Sequence, residues 1–278
     1  EADELTVSLN PQGAGQIHNV TRGTLHAEVD VAFPALHGVN GEDGTIQGVF
    51  EMAGIPYVGP GVMASAVGMD KEFMRKLMAA EGLPVTRDVI LRGRTELTEE
   101  EKDFLGLPVF VKPARGGSSI GVSKVSSWDE LDTAIAEAAK SDDKVIVEAE
   151  LIGAEVEVGV LEYPDGKLVA SVPAKLNGTE DSEEGFYGFD TKYLDNTVTA
   201  TIPAPFDDDT IKSIQDLAIE TFKSLNCEGL SRIDFIVTDN GPMTNEINTL
   251  PGFSPISMYP QVFLASGLSY PELLDSLL

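Results

Sequence analysis

The sequence predicts an α/β protein assembled from α+β subdomains, and three observations carry that reading. Strand-like and helix-like runs alternate from Val29 to Gly82. Two later stretches, 155–174 and 230–248, place apolar–polar alternation on both sides of a short polar turn, the pattern of a β-hairpin. Ahead of both, a glycine- and serine-rich segment, ARGGSSIG, is bounded by strand-like runs on either side.

Taken in order, residues up to Glu28 show little periodicity and predict a frayed start with one short strand, Leu5 to Leu9. The apolar run Val29 to Phe33 predicts a buried strand, followed by the turn HGVNGEDG, a helix from about Thr45 to Ala53 and a short strand, IPYVG. MASAVGMDKEFMRKLMAAEG has helical period, broken near Gly68 and closed by Gly82. VTRDVIL and PVFVKP read as strands with a Glu-rich helix between them. Ser127 and Glu130 form a capping box that opens an Ala-rich helix to about Lys140, and KVIVEAEL is a strand. EVEVGVLEY, PDGK and LVASVPA make the first hairpin, and a polar, acidic loop runs from about Asn177 to Phe186. A helix from Asp208 to Leu225 precedes the second hairpin, LSRIDFIV, TDNG and PMTNEIN, and short helices finish the chain. The implied division is 1–69, 70–152 and 153–278.

Composition narrows the function. The 278 residues include 46 Asp and Glu against 19 Lys and Arg, a formal net charge of −27. Such a surface repels phosphate backbones and anionic lipid heads, so the expectation is no nucleic-acid partner and no membrane partner. Any anionic ligand then needs a local cluster of the few cations, or a metal. One cysteine, Cys227, excludes an intrachain disulfide and reads as a small buried hydrophobe. With no long apolar run and no charged-then-apolar leader, the sequence predicts a cytoplasmic protein. It opens on Glu1 rather than Met, and the expectation is that the natural start lies upstream.

The strongest chemical signal is the second hairpin. By the strand period of two, Arg232 and Asp234 share one face of the first strand, and Glu246 and Asn248 share a face of its partner. A three-residue turn or one bulge would set Asp234 opposite Glu246. Two carboxylates that close repel each other unless a cation sits between them. Two acids and an amide, all oxygen donors, suit magnesium. The bland alternative is a solvated hairpin face, which the apolar neighbours of Asn248 and the following TLPGF disfavour. KPARGGSSIG is a second signal: backbone N–H groups of such a loop wrap phosphate while Lys112 adds charge, although it is not a P-loop, since its lysine precedes the glycines. VIVEAELIGAEVEV is weaker. Glu148 at a strand end offers backbone groups to a purine edge, and Glu155 a carboxylate to ribose. In HGVNGEDG, Asp43 is placed to cap the next helix, and His37 is read equally well as a turn residue or a ligand-binding one.

Together, HGVNGEDGTIQG, GMDKEFMRKL, VKPARGGSSIGVSKV, VIVEAEL, FYGFDTKYLD and SRIDF…NEINTLPGFSPISMYP resemble the D-alanine–D-alanine ligases, from about Val29 to the C-terminus. The resemblance implies the ATP-grasp fold, here with the C-terminal part of an N-terminal α/β substrate domain. It implies that the carboxylate of one D-alanine attacks the γ-phosphate of ATP to give an acylphosphate, which the amine of a second D-alanine then attacks. Carried over by motif, Lys71, Lys112 and Lys192 meet phosphates, with Ser119 on the same loop. Glu148 and Leu151 contact adenine, and Glu155 contacts ribose. Asp234, Glu246 and Asn248 hold two Mg2+ or Mn2+ ions. Arg232 and the Gly252 N–H face the developing oxyanion. His37, Ser257 and Met258 bind substrate, and Ser118 and Tyr193 belong to a hydrogen-bonded set on a closing loop. Relatives are usually homodimers.

Three departures stand out. Relatives open with a glycine-rich strand–helix unit bearing a glutamate for the first substrate's ammonium, which nothing here matches. Gly188 replaces an acid in F-Y-D-Y/F, and Gly116 stands where many relatives have Glu. The rivals are a D-alanine–D-lactate ligase, which Tyr193 argues against, and another carboxylate–amine ligase, which HGVNGEDG and SMYP argue against. A nucleotide-binding regulatory module without turnover is the rival from another class.

Overall fold

The computed structural model describes residues 3–10, 15–117, 120–178 and 199–278. Its first element corrects an expectation. Instead of a frayed start with one strand, β1 (Leu5–Val7), β2 (Gln16–Asn19) and β3 (Thr24–Glu28) form an antiparallel sheet. Of these strand residues only Asn19 is buried. A sheet exposed on both faces leaves no hydrophobic period in the sequence. The buried strand expected at Val29 to Phe33 and the strand IPYVG are a second correction. They meet only at a parallel bridge between Ala32 and Tyr57, with Ala32 N–H donating to Pro56 O at 2.8 Å and Val58 N–H to Ala32 O at 2.9 Å. Pro34, Pro56 and Pro60 carry no N–H, so a longer ladder cannot form.

Three helices follow: α1 (Thr45–Ala53), α2 (Val62–Met69) and α3 (Lys71–Ala80). The helical stretch breaks at Asp70, not at Gly68. Asp70 is extended, and its carboxylate accepts the Glu72 N–H at 3.2 Å, capping α3. Gly68 serves packing instead, because a Cβ there would lie 2.7 Å from Thr249 Cγ2.

The middle of the chain is a four-stranded antiparallel sheet with two helices. In chain order these are β4 (Asp88–Arg92), α4 (Glu99–Leu105), β5 (Val109–Pro113), β6 (Ser123–Val125), α5 (Leu131–Ala138) and β7 (Lys144–Ala149). The strands run in the order β4-β7-β5-β6. Val109, Val111, Val145 and Val147 bury against Leu131, Ala134 and Ile135 of α5. The Ser127–Glu130 capping box forms as the sequence predicts, through a short 3-10 turn ahead of α5.

The last part is a six-stranded antiparallel sheet. Its strands are β8 (Ala154–Glu162), β9 (Leu168–Ala170), β10 (Ala174–Asn177), β11 (Thr199–Thr201), β12 (Leu230–Thr238) and β13 (Gly241–Asn248), ordered β11-β10-β8-β12-β13 with β9 also on β8. Its helices among the described residues are α6 (Asp208–Ser224), α7 (Met258–Ala265) and α8 (Tyr270–Leu277). The hairpin expected over 155–174 forms as β8–β9 and then divides, with β10 returning to pair with β8 at Ala174 and Glu157. Val156, Val158, Ile233, Phe235 and Ile247 bury against Ile214, Ala218 and Phe222 of α6. Cys227 lies in that cluster, and burial pushes its thiol up to about 12, in line with the inert role read from the sequence. No helix among the described residues is long and apolar enough to cross a membrane.

On β8, Gly159 pairs with Arg232. A Cβ at Gly159 would lie 2.6 Å from Phe263 Cε2 and 3.1 Å from the Tyr259 ring, two side chains that are fully buried in α7. Gly159→Ala is therefore expected to destabilise the fold by about 1–3 kcal/mol through overpacking. Urea unfolding checks this, and a stability equal to wild type would show that α7 yields.

Candidate active site

The charged face of the β12–β13 hairpin forms as its spacing predicts. Asp234 pairs with Glu246 and Arg232 with Asn248, and the register shifts by a bulge between Asp234 and Phe235. Burial alternates along β12, Ile233 and Phe235 being buried and Arg232 and Asp234 half-buried. Apolar residues thus fix the strand on α6 while its other face keeps charge. Arg232 donates from Nε to Asp234 Oδ1 and from Nη2 to Oδ2, both at 2.8 Å. Burial alone would lower the Arg232 pKa, but Asp234, Glu157 and Glu246 outweigh it, so the guanidinium stays charged. Asn248 Oδ1 accepts the Leu250 N–H at 3.2 Å, which fixes the amide and the start of the TLPGF turn.

Opposite this face lie the lysines. Lys71, the first residue of α3, donates from Nζ to Gly116 O at 2.9 Å and lies 3.5 Å from Glu246 Oε2. Its own N–H donates to Ala114 O at 3.0 Å, so the helix start and the glycine loop are joined by backbone as well. Lys112 near the end of β5 forms an ion pair with Glu148 on β7, and Arg75 of α3 pairs with the other oxygen of the same carboxylate. Burial pushes the Glu148 carboxyl up, but Arg75 and Lys112 outweigh it and hold it below the ordinary carboxylate value.

Between the two sheets lies a cavity of about 430 Å³. Lys71, Lys112 and Gly116 line one side, Glu148, Leu151 and Glu155 another, and Asp234, Asn245 and Glu246 a third. Seven residues predicted for the site, Lys71, Lys112, Glu148, Leu151, Glu155, Asp234 and Glu246, therefore converge on one space. Its size suits a small-molecule ligand. For Glu148 the geometry alters the reading. It lies inside β7, paired with Asp88 on one side and Phe110 on the other, so its backbone belongs to the sheet. The chain leaves the ladder after Ala149, and residues 149–153 form the cavity wall there.

The HGVNGEDG turn packs beside the hairpin. Glu42 accepts the Gly38 N–H, and its backbone carbonyl accepts from Thr249 Oγ1 at 3.4 Å. Burial raises the Glu42 carboxyl above its ordinary value against the pull of Gly38, His37 and Arg232. Asp43 accepts from the N–H groups of Asn40 at 2.8 Å and Thr45 at 3.0 Å, so it caps the first turn of α1 from one position upstream of Gly44. His37 itself is exposed. At the other end, Ser257 starts α7, and its Oγ lies 2.8 Å from Ser254 Oγ. Gly252 leaves room for Ser257 there, since a Cβ would lie 2.8 Å from Ser257 Oγ. Met258 packs on the aromatic cluster around Tyr259. Arg232, Asn248, Gly252, Ser257, Met258 and His37 do not line the cavity itself; of these, Arg232 and Asn248 adjoin it through the hairpin that carries Asp234 and Glu246. Ser118, Ser119, Lys192 and Tyr193, and with them Gly188, lie outside the described residues.

Three residues of this constellation escaped the sequence reading: Arg75, Glu42 and Glu157. Arg75 sits in a helix of helical period and reads as surface. Glu157 shares with Glu155 the strand period that puts both on one face, a signal that was available. The donor set of Asp234, Glu246 and Asn248 fits a hard divalent cation: all donors are oxygens, and the two carboxylates face each other and are each met by a cation, Arg232 or Lys71. Among the described residues no three His, Cys, Asp or Glu side chains form a metal-holding group; the third donor here is an amide.

Comparisons with known proteins point to one family. The family model described as D-ala D-ala ligase N-terminus matches residues 2–60, and that described as D-ala D-ala ligase C-terminus matches residues 75–278. The chain is 65% identical to the D-alanine–D-alanine ligase of Corynebacterium efficiens over 275 residues, covering 99% of this chain and 76% of that protein. It is 55% identical to the same-named protein of Nocardia farcinica, again over 99% and 76%. Among solved structures, the VanG D-Ala:D-Ser ligase of Enterococcus faecalis superposes with a TM-score of 0.87 at 38% identity, over 99% of this chain and 78% of that one. The D-alanine–D-alanine ligase of Bacillus anthracis complexed with ATP gives 0.76 at 30%, over 90% and 78%. Two sheets with a shared cavity between them, lined by Lys71 and Lys112 on one side and an acidic hairpin on the other, are the ATP-grasp fold, and the chain belongs to the D-alanine–D-alanine ligase family.

Proposed function

We propose that this chain joins two D-alanine molecules at the expense of ATP, by way of an acylphosphate, to supply the dipeptide of a peptidoglycan precursor. The observation that carries the reading is the cavity with Lys71 and Lys112 on one wall and the Asp234–Glu246 hairpin on another. Triphosphate occupies the space between them. Lys71 and Lys112 compensate its charge, and the backbone of residues 149–151 with Glu155 holds the base and ribose. Asp234, Glu246 and Asn248 hold magnesium, or manganese, which supplies charge neutralisation at the transferring phosphoryl group. Two ions are the expected number.

Arg232 and the Gly252 N–H hold the oxygen on which charge develops as the carboxyl carbon becomes tetrahedral. Fixed donors act best where they need no reorganisation, and Arg232 is fixed by its bonds to Asp234. Ser257, at the start of α7, binds the carboxylate of the second amino acid, helped by the positive end of the helix. Met258 and His37 belong to the same substrate-binding set. Ser118, Ser119, Lys192 and Tyr193 complete the proposed set. D-alanine rather than D-serine as second substrate follows from the 65% identity to a D-alanine–D-alanine ligase against 38% to the D-Ala:D-Ser enzyme. A three-part division at 70 and 153, a homodimer, a cytoplasmic location and no nucleic-acid or membrane partner belong to the same reading.

Two substitutions test it in an assay of ADP release that depends on D-alanine. Asn248→Ala removes a metal donor and lowers kcat by about 10- to 100-fold. Ser257→Ala removes a hydrogen bond to a charged group, a contribution of about 1.5–3 kcal/mol, and so raises the half-saturating second D-alanine about tenfold or more. Equal effects of both on the KM for ATP alone would contradict these roles.

A further inference from the structure

Glu157 has no part in the roles given above, yet it stands among the residues that carry them. It lies on β8 directly opposite Asp234 of β12, on the same charged face, and is only 7% exposed. Its Oε2 is 3.3 Å from Nε of Arg232, the nitrogen that also donates to Asp234 Oδ1 at 2.8 Å. Burying a carboxylate in mid-sheet is costly, and placing a second one beside it costs more unless a cation lies between them. Arg232 is that cation.

The arrangement answers a conflict in the chemistry of Asp234. Both of its oxygens accept from Arg232. Holding a divalent cation asks for the same oxygens, and a guanidinium deserted by its carboxylate would be free to swing. Arg232 offers donors in a rigid fork, so an acid on a second side can hold it while the first is engaged elsewhere. Glu246 cannot serve, being needed for the metal and lying across the hairpin on β13. Glu157, one strand over on the other side, can.

We infer that Glu157 is a positioning residue that holds the Arg232 guanidinium in place while Asp234 engages the metal. The inference rests on the ligase reading of this site. Arg232 is thereby shared between two acids: Asp234 loosens its hold when the cation arrives, and Glu157 keeps the donor aimed at the reacting carboxyl group. In its absence Arg232 falls back on Asp234 and competes with the cation for it.

The test is a double-mutant cycle between Glu157→Gln and Arg232→Gln. Binding of Mn2+, followed by its electron paramagnetic resonance signal with a non-hydrolysable ATP analogue, is measured alongside turnover. Glu157→Gln should weaken Mn2+ binding about 3- to 10-fold and lower kcat about tenfold, with the KM for ATP within about twofold of wild type. Glu157→Asp, which keeps the charge, should recover part of both losses. In the Arg232→Gln background the same Glu157→Gln change should shift Mn2+ affinity by less than about twofold, because no guanidinium remains to compete. An equal Mn2+ shift with and without Arg232 would overturn the inference, as would Glu157→Gln with both readouts unchanged. Loss of the fold in Glu157→Gln would make the residue structural and overturn it too. The Mn2+ measurement needs no turnover, so a wild-type protein that released no ADP with D-alanine would defeat the ligase reading separately.

Discussion

Replacing Arg232 by Met is expected to lower D-alanine-dependent turnover by about 10²- to 10³-fold, the loss that follows removal of one fixed oxyanion donor. The same change should destabilise the fold by up to about 3–5 kcal/mol, because it leaves acids buried without their cation. Asp234 loses both of its 2.8 Å bonds, and Glu157 loses a partner at 3.3 Å. Arg232→Lys separates the two effects. Lysine keeps the charge that the acids need but lacks the fork that grips both oxygens of Asp234. Stability should return most of the way while turnover stays low. Steady-state rates and urea unfolding of both variants check this. An Arg232→Lys enzyme with wild-type kcat would remove the guanidinium from the chemistry.

Glu148→Gln should act chiefly on stability. The Glu148 carboxylate is buried with Arg75 on one oxygen and Lys112 on the other. Without its charge two largely buried cations face each other, and the expected loss is about 3–5 kcal/mol. ATP affinity should fall as well, since Lys112 would no longer be held toward the cavity. The pH dependence has a definite sign. The folded carboxyl titrates below its ordinary value of 4.5 because Arg75 and Lys112 outweigh the effect of burial. Its contribution is therefore fully present above about 4.5 and is lost as pH falls through the lower folded value. The stability gap between wild type and Glu148→Gln, measured in urea, should be widest at neutral pH and should close in acid. A gap independent of pH would mean that the pair contributes packing and not charge.

The hairpin face was legible in the sequence because strand period is a rigid rule. Arg232 and Asp234, and Glu246 and Asn248, lie two apart, and one bulge brings them into register; the bulge is there, between Asp234 and Phe235. Helix ends were legible where a side chain caps them, as Ser127 and Glu130 do. The first sheet was not, since its strands bury almost nothing and so carry no pattern. Val29 to Phe33 misled for the opposite reason: its apolar residues are half-buried, but neighbouring prolines restrict pairing to one bridge. Gly68 showed that a glycine in a helix marks close approach of a neighbour as readily as a break. Long-range ion pairs were the least legible. Nothing local ties Arg75 to Glu148, 73 residues away, and only the fold brings them together.

The proposed reaction activates a carboxylate by phosphoryl transfer within the cavity. D-alanine carrying ¹⁸O in its carboxyl group tests it most directly. With ATP and magnesium, the inorganic phosphate released should carry one ¹⁸O taken from D-alanine, detected by mass spectrometry alongside ADP and the dipeptide. Unlabelled phosphate, or AMP bearing the label, would contradict it.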